Sequence, residues 1–281
     1  MNYVILLGLI LIAVIWQIVE LQQFHVVSYN IHSDKITTAK KIAFLSDLHG
    51  KTFGDRLINT LQKEQPDFIL IGGDVISKKR SVEMDYMPEF LEQISKIAPV
   101  YYCFGNHETT IDAVISKEDE EYEKRFLFYL EKISHYNIHL LRNEAVEVGN
   151  DLLLLGLELP VDYFGKEDPL DLTKEAMEEL LPPVNTKRFQ ILLAHHPRFG
   201  DVYGLGNYDL VLSGHTHGGL IRFPVVGSII STELTLFPKY DGGFYCLNNE
   251  TPFVVSKGLG THTFHIRVND RAEVVMLHIL P

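Results

Sequence analysis

The chain of 281 residues is 46% hydrophobic and 22% charged, so it can bury a large core and lies at the upper end of the size range for one domain. Its formal net charge of −12, from 37 acidic and 25 basic residues, argues against a protein that binds the phosphate backbone of nucleic acid. The two cysteines, Cys103 and Cys246, lie far apart in apolar segments and predict buried thiols rather than a disulfide. We therefore expect one domain with a short appendage and no nucleic-acid partner.

The first apolar segment, Val4 to Val19, has almost the length of a membrane-spanning helix. A cleaved signal peptide and a buried core helix are the alternatives, but no Lys or Arg precedes the segment and no Ala-x-Ala cleavage site follows it. We expect residues 1–22 to form a transmembrane anchor of a single-pass protein of the cell membrane. The first basic residues follow only from Lys35 onward, so the positive-inside rule only weakly favours a cytoplasmic domain.

Residues 23–40 alternate polar and apolar side chains, and we expect a linker or a leading strand before a domain at 41–281. Three units of strand, loop and helix come next. Their strands, Ile42–Leu45, Phe68–Ile71 and Val100–Phe104, each end in polar residues. In an open α/β sheet, functional sites form at the carboxyl ends of the strands.

The second half of the chain is predicted to be mostly β. His139–Val148 and Leu152–Leu157 predict a hairpin, and two later apolar strands, Phe189–Leu193 and Leu210–Leu212, again end in polar residues. Helices are predicted at Gly54–Glu64, Val82–Ile97, 117–135 and Thr173–Leu181.

Five apolar strands thus end in residues with metal-binding side chains. These residues are Asp47, His49, Asp74, Asn106, His107, His195, His215 and His217. Taken singly, each has an ordinary alternative, such as a helix cap for Asp47 or a turn residue for Asp74. Together they favour a metal site, because mixed oxygen and nitrogen ligands suit manganese, iron or zinc.

Five sequence blocks resemble the signature of the calcineurin-like metallophosphoesterases, in the order of that family. The blocks are Asp47-x-His49, Gly72-Gly73-Asp74, Gly105-Asn106-His107-Glu108, Ala194-His195-x-Pro197 and Gly214-His215-Thr216-His217. Pro238-Lys239-Tyr240, Gly243-Phe244-Tyr245 and the block Ser256 to Thr261 are similar to the membrane-associated YkuE-like bacterial branch. The resemblance implies an α/β fold, a four-layer αββα sandwich of two mixed β-sheets flanked by helices, here preceded by a transmembrane helix.

The resemblance also implies a centre of two divalent metal ions. Asp47, His49 and His217 would bind one ion, Asn106, His195 and His215 the other, and Asp74 would bridge them. Manganese is the first expectation, with iron, zinc, nickel and cobalt as alternatives. A hydroxide that bridges the metals would attack phosphorus in line, in a phosphomonoester, phosphodiester or pyrophosphate. His107 would stabilise charge on the phosphoryl oxygens or the leaving group, and Glu108 would orient His107.

Two residues depart from the pattern of that branch. Leu220 stands where the branch usually has glutamine, and Ser77 where it usually has aspartate. We expect neither to touch a metal ligand. His196 should point away from its neighbour His195, because adjacent residues of an extended chain face opposite sides, and surface positions are expected for His262 and His265.

The anchor makes lipid-linked or envelope-derived phosphoesters plausible substrates, and relatives that cleave the pyrophosphate of UDP-2,3-diacylglucosamine share this fold. We expect a monomer that acts on a phosphoester. The alternative is a catalytically inert metal-binding scaffold, against which the complete ligand set argues. A hydrolase of the metallo-β-lactamase type would need a His-x-His-x-Asp-His run, which the sequence lacks.

Overall fold

The computed structural model describes residues 2–114, 120–164, 169–184, 187–223, 227–231, 235–261 and 265–281. The α-helices are α1 (Asn2–Leu21), α2 (Asp55–Glu64), α3 (Glu83–Ser95), α4 (Asn106–Val114), α5 (Glu120–Ser134), α6 (Lys174–Leu180) and α7 (Gly200–Tyr203). The first seven strands are β1 (Phe24–His32), β2 (Lys40–Leu45), β3 (Phe68–Ile71), β4 (Val100–Cys103), β5 (Ile138–Leu141), β6 (Glu144–Val148) and β7 (Leu152–Leu157). The others are β8 (Phe189–Ala194), β9 (Leu210–Ser213), β10 (Ile221–Phe223), β11 (Gly227–Ile230), β12 (Gly243–Cys246), β13 (Pro252–Val255) and β14 (Ala272–Leu280).

Two six-stranded sheets form the centre of the domain. Their strand orders are β1-β14-β2-β3-β4-β5 and β12-β13-β9-β8-β7-β6, and β10 and β11 form a separate ribbon. Strands β2 to β5 run parallel, whereas β14 is antiparallel to β2. In the second sheet β7, β8, β9 and β13 are parallel, and β6 and β12 are antiparallel at its edges. Both sheets are therefore mixed, as the resemblance to the calcineurin-like family implied.

The apolar side chains form three buried clusters that define four layers. Along β2, Ile42 and Phe44 enter the cluster between the sheets, while Ala43 and Leu45 enter the cluster beneath helices α2, α3 and α5. This alternation is the period of two that a strand buried on both faces requires. The third cluster joins the outer face of the second sheet to α6 and α7, through Met177 and Tyr203 among others. The predicted αββα sandwich is confirmed.

The predicted strand His139–Val148 is wrong, because the structure divides it between the two sheets. Strand β5 closes the first sheet, and β6 begins the second and forms a hairpin with β7. The break is at Asn143, which has a φ of 50° and exchanges two side-chain hydrogen bonds with the backbone of Glu158. The alternation of apolar residues continues through this turn, so the sequence pattern did not reveal it. The burial predicted for Cys246 is also wrong, since it is exposed on the edge strand β12.

The N-terminal helix α1 is apolar and projects its side chains outward. The stretch Tyr3–Leu21 has the length and composition to cross a membrane, and a signal sequence near the N-terminus has the same properties. Its last turn contacts the domain through an ion pair of 3.1 Å between Glu20 and Arg271. Strand β1, which lies within the predicted linker 23–40, pairs in parallel with β14 from Phe24 to His32. The chain therefore enters the first sheet directly after the helix.

Candidate metal centre

The predicted site residues lie together where the carboxyl ends of five strands meet. Asp47 and His49 follow β2, Asp74 follows β3, and Asn106 starts α4 after β4. In the second sheet, His195 follows β8, and His215 and His217 follow β9. Backbone hydrogen bonds tie these loops to one another, including one from Asp47 N to Gly73 O (2.9 Å) and one from Gly214 N to His195 O (3.0 Å).

The loops turn sharply, and the turns place site residues in the left-handed region of backbone conformation. Five site residues have a positive φ: Asp47 (52°), His49 (44°), Asp74 (55°), His215 (72°) and His217 (52°). Each such residue costs on the order of 1–3 kcal/mol, so the surrounding structure must hold it. Hydrogen bonds do so here, since His215 N donates to both carboxylate oxygens of Asp47 at 2.9 Å. The backbone is strained where the side chains must converge.

One group of candidate ligands contains Asp47, His49 and His217, whose ligand atoms all lie within 4.8 Å of one another. The Nε2 atoms of the two histidines are 3.1 Å apart, and His217 Nε2 is 3.6 Å from Asp47 Oδ1. His217 Nδ1 lies 3.2 Å from the carbonyl oxygen of Gly260, which can only accept, so Nδ1 carries the proton and Nε2 a lone pair. Two imidazole nitrogens and a carboxylate thus converge on one point, which suits a divalent cation.

A second group contains Asp74, His195 and His215, whose ligand atoms again lie within 4.8 Å of one another. Asn106 joins it, because its Oδ1 is 2.9 Å from His215 Nδ1. His195 Nδ1 donates to Gly72 O at 2.5 Å, which directs Nε2 toward Asp74 Oδ2 at 3.2 Å. That buried Nε2 has no partner of hydrogen-bonding geometry among the described residues. A buried imidazole nitrogen without a hydrogen-bond partner is a suitable ligand for a metal ion.

The electrostatics of the site also favour a cation. Burial opposes ionisation of Asp74, but the neighbouring His195, His107 and His49 outweigh it and hold the pKa of Asp74 well below its usual value. Burial likewise opposes the charged form of His195, yet Asp74 and Asp47 raise the pKa of His195 to about 10. The two buried carboxylates therefore stabilise positive charge between them, and a metal ion would displace a proton from His195.

His107 differs from the other histidines in the position of its proton. The backbone N–H of Lys78 donates to His107 Nδ1 at 2.9 Å, so the neutral ring carries its proton on Nε2. Nε2 lies 3.9 Å from Asp74 Oδ2, on the side of the ring that faces the centre. His107 forms a compact group with His49 and Asp74, but this tautomer makes it a hydrogen-bond donor to the site rather than a ligand.

Glu108 occupies a different place from the one predicted. Its carboxylate is fully buried and accepts backbone hydrogen bonds from Asp74 N (2.9 Å), Val75 N (2.6 Å), Ile76 N (3.1 Å) and Gly105 N (3.0 Å), and one from Tyr102 Oη (2.7 Å). It therefore holds the backbone of the Asp74 loop instead of the His107 ring. The reason is that α4 begins at Asn106, so consecutive side chains point about 100° apart. Burial and the charge of Asp74 raise the pKa of Glu108 to about 7.

The expectation that Ser77 does not touch a ligand is wrong. Its hydroxyl oxygen lies 3.1 Å from Nδ1 of His49, so it orients the ring of a candidate ligand. The loop after Asp74 folds back over His49, which the spacing of the two residues in the sequence does not indicate. Ser46, another residue missed in the sequence, donates from its hydroxyl to Asp47 Oδ2 at 2.6 Å.

Among the residues that sequence reasoning missed, Arg267 contributes most to the site. It is fully buried, and its guanidinium donates to the carbonyl oxygens of Lys257 (2.8 Å), Gly258 (3.2 Å), Gly260 (2.6 Å) and Asp270 (3.2 Å). The same carbonyl of Gly260 accepts from His217, so Arg267 shapes the loop that orients a candidate ligand. The only signal in the sequence was a basic residue after the block Ser256 to Thr261.

His196 and His265, two further histidines that the structure describes, are not members of the two groups. His196 is buried, and its ring centroid is 3.8 Å from that of His215, so it packs behind a candidate ligand. His265 is exposed and accepts from Arg80 at 2.6 Å. His262 lies outside the described residues.

Comparison with known proteins identifies the family. The sequence model of the family described as calcineurin-like phosphoesterase matches residues 40–219. This range contains all seven candidate ligands. The chain belongs to this family. An uncharacterized metallophosphoesterase of Aquifex aeolicus is 30% identical over 258 residues, which cover 89% of this chain and 90% of that protein. Phosphodiesterase YaeI of Escherichia coli is 29% identical, covering 85% and 82% of the two chains.

Among solved structures, the NAD nucleotidase of Haemophilus influenzae aligns with a TM-score of 0.48 and 14% identity, covering 79% of this chain and 45% of that one. Assignment to the membrane-associated branch of the calcineurin-like family stays a prediction.

Proposed function

We propose that this calcineurin-like protein is a dinuclear metal-dependent phosphoesterase. The observation that carries the proposal is the pair of converging ligand groups, which share the neighbourhood of the Asp74 carboxylate. Asp47, His49 and His217 would hold one ion, and Asn106, His195 and His215 the other. Asp74 would bridge them, because its Oδ2 lies 3.7 Å from His49 Nε2 on one side and 3.2 Å from His195 Nε2 on the other. Manganese is our first choice of metal.

The two ions, when bound, supply Lewis acidity and an activated water nucleophile for an in-line displacement at phosphorus. The protein itself positions the charges around that reaction. His107 donates from Nε2 to a phosphoryl oxygen or to the leaving oxygen, since Lys78 N fixes its tautomer. Glu108 holds the loop that carries Asp74 and so acts as a positioning residue.

The proposed activity is tested by turnover of bis-p-nitrophenyl phosphate by the full chain in detergent. We expect hydrolysis with added manganese, loss of activity after treatment with a chelator, and recovery when the metal is returned. A parallel panel of phosphomonoesters and pyrophosphates then gives the preferred bond. A protein that binds manganese stoichiometrically but turns over none of these substrates would instead be the inert scaffold.

We further propose that residues 1–22 anchor the domain 41–281 in the cell membrane, and that the natural substrate is lipid-linked. The apolar surface of α1 and its contact with the domain through Glu20 and Arg271 support this. We expect full-length protein to stay in the membrane pellet after extraction with alkaline carbonate. If the protein is recovered in the supernatant, or if its chain is shortened at the N-terminus, the proposed membrane anchor is wrong. Efficient cleavage of soluble phosphodiesters without turnover of any lipid-linked phosphoester would contradict the substrate.

A further inference from the structure

A cavity of about 280 Å³ lies between the end of the N-terminal helix and the proposed metal centre. Leu21 and Gln22 line it on the side of the helix, and His49 lines it on the side of the centre. A water molecule in the liquid takes about 30 Å³, so the cavity is large enough for a phosphate group. A group bound here would lie beside a candidate ligand.

The wall between this cavity and the metal centre is the loop that contains Gly260. Leu259 and Gly260 line the cavity, and the carbonyl of Gly260 accepts from His217 Nδ1 at 3.2 Å. Arg267 Nη2 donates to the same carbonyl at 2.6 Å. The wall is therefore rigidly connected to the centre, and a ligand in the cavity would have a fixed position relative to it.

The charge of the cavity is opposite to that of the protein. The chain has a net charge of −12, yet the described residues that line the cavity include Lys51, Arg80 and Arg267 and no Asp or Glu. Arg267 uses its guanidinium on backbone carbonyls, which leaves Lys51 and Arg80 as the cations that face the space. Such a local excess of positive charge in an acidic protein favours an anion.

Lys51 is held by a neutral acceptor, and Arg80 by a neutral acceptor and one carboxylate. Lys51 Nζ donates to Gln22 Oε1 at 2.9 Å, and Arg80 Nη2 donates to His265 Nε2 at 2.6 Å. Arg80 Nη1 also forms an ion pair of 3.6 Å with the buried carboxylate of Glu83.

We propose that this cavity binds a second phosphate group of the substrate, through Lys51 and Arg80, while the scissile phosphate lies at the metal centre. The inference rests on the proposed phosphoesterase function and adds a substrate class, phosphoesters that carry a further phosphate. Such a group could belong to a free metabolite or to a lipid headgroup, since Leu21 and Leu259 give the cavity an apolar side.

The test uses two chromogenic substrates that differ by one phosphate, thymidine 5′-(p-nitrophenyl phosphate) with and without a 3′-phosphate. For the full chain in detergent we expect a KM about tenfold lower for the phosphorylated substrate, because charged hydrogen bonds hold the extra group. Lys51→Gln and Arg80→Gln should each remove most of this difference and leave kcat/KM of the plain substrate nearly unchanged. Arg80→Lys should keep part of it.

Lys96→Gln is the matched control, because Lys96 is exposed at the end of α3 and pairs with Glu92. Equal KM values for the two substrates in the unmodified protein, or equal losses on both substrates in the variants, would overturn the inference. Absence of turnover of either substrate counts against the proposed function alone. In that case a calorimetric titration of metal-free protein with thymidine 3′,5′-bisphosphate still tests the inference. Binding that Lys51→Gln and Arg80→Gln do not weaken would refute it.

The source of the phosphate is distinguished with phosphatidic acid as an inhibitor. Monomeric dihexanoyl phosphatidic acid presents the headgroup free in solution, and phosphatidylcholine vesicles with phosphatidic acid present it on a bilayer. Stronger inhibition by the vesicles, weakened in Lys51→Gln, assigns the phosphate to a lipid, and stronger inhibition by the monomer assigns it to a free compound. Inhibition that neither variant weakens is evidence against the site.

Discussion

Replacing Asp74 by asparagine is expected to lower kcat about a thousandfold, because a bridging carboxylate contributes to binding both ions and metal catalysis supplies several kcal/mol. Asp74 Oδ1 accepts from His107 N at 2.9 Å, and the amide oxygen of asparagine can keep this bond. The position of Oδ2, 3.2 Å from His195 Nε2, would instead receive an amide nitrogen, which does not bind a cation.

Manganese content and turnover of bis-p-nitrophenyl phosphate measure the effect of this substitution. Asp171→Asn makes the same chemical change on a side chain that is 99% exposed, and it should leave both quantities unchanged. Melting curves recorded in chelator at neutral pH should show a lower Tm for Asp74→Asn than for the unmodified protein, because the buried, protonated His195 loses its carboxylate partner. If Asp74→Asn retains two bound metal ions and full activity, the bridging role is wrong.

Replacing Glu108 by alanine is expected to destabilise the metal-free fold by at least about 3 kcal/mol, since each buried donor that loses its acceptor costs roughly 1–3 kcal/mol. Four backbone N–H groups and the Tyr102 hydroxyl share this carboxylate. For a domain of this size the loss corresponds to a fall in Tm of about 6–12 °C. The Asp74 loop loses its support as well, so affinity for the metal should fall about 10–100-fold.

Thermal melting in chelator and calorimetric titration with manganese separate these two effects of Glu108→Ala. Tyr102→Phe is the graded control, because it removes one of the five donors and leaves the carboxylate in place. It should cost about 1 kcal/mol and have little effect on metal affinity. A Glu108→Ala protein that melts at the unmodified temperature would show that the carboxylate does not hold the loop.

The site also shows why its glycines are needed. A Cβ on Gly214 would overlap the Ser46 hydroxyl and the Asp47 carboxylate, and a Cβ on Gly105 would overlap the Asp74 carboxylate. Both glycines let one loop approach the side chains of another across the junction of the strands. The sequence blocks around them combine residues with metal-binding side chains and residues that make room for them.

The sequence by itself indicated alternating strands and helices and a set of candidate ligands, and the resemblance of its five blocks to the calcineurin-like family implied the four-layer fold. The strands and the candidate ligands are local properties: apolar runs of strand length predict the strands, and the polar residue that follows each run marks the end of that strand. Because carboxyl ends of parallel strands meet at one edge, the order of the blocks was enough to predict that Asp47, Asp74 and Asn106 come together. The helix Tyr3–Leu21 was equally readable from its length and composition.

Only the tertiary structure decided how those residues are supported and what lies beside them. The nitrogen atoms of His49 and His217 meet across 168 positions of the chain, and Glu108 reaches Asp74 N across 34. The contacts of Ser77 and Arg267, the tautomer of His107, and the cationic cavity beside Gly260 depend in the same way on loops from different strands. Side-chain patterns specify which face of a strand is buried, but the partner of a polar group is set by how separate loops pack, and no periodicity in one segment records it.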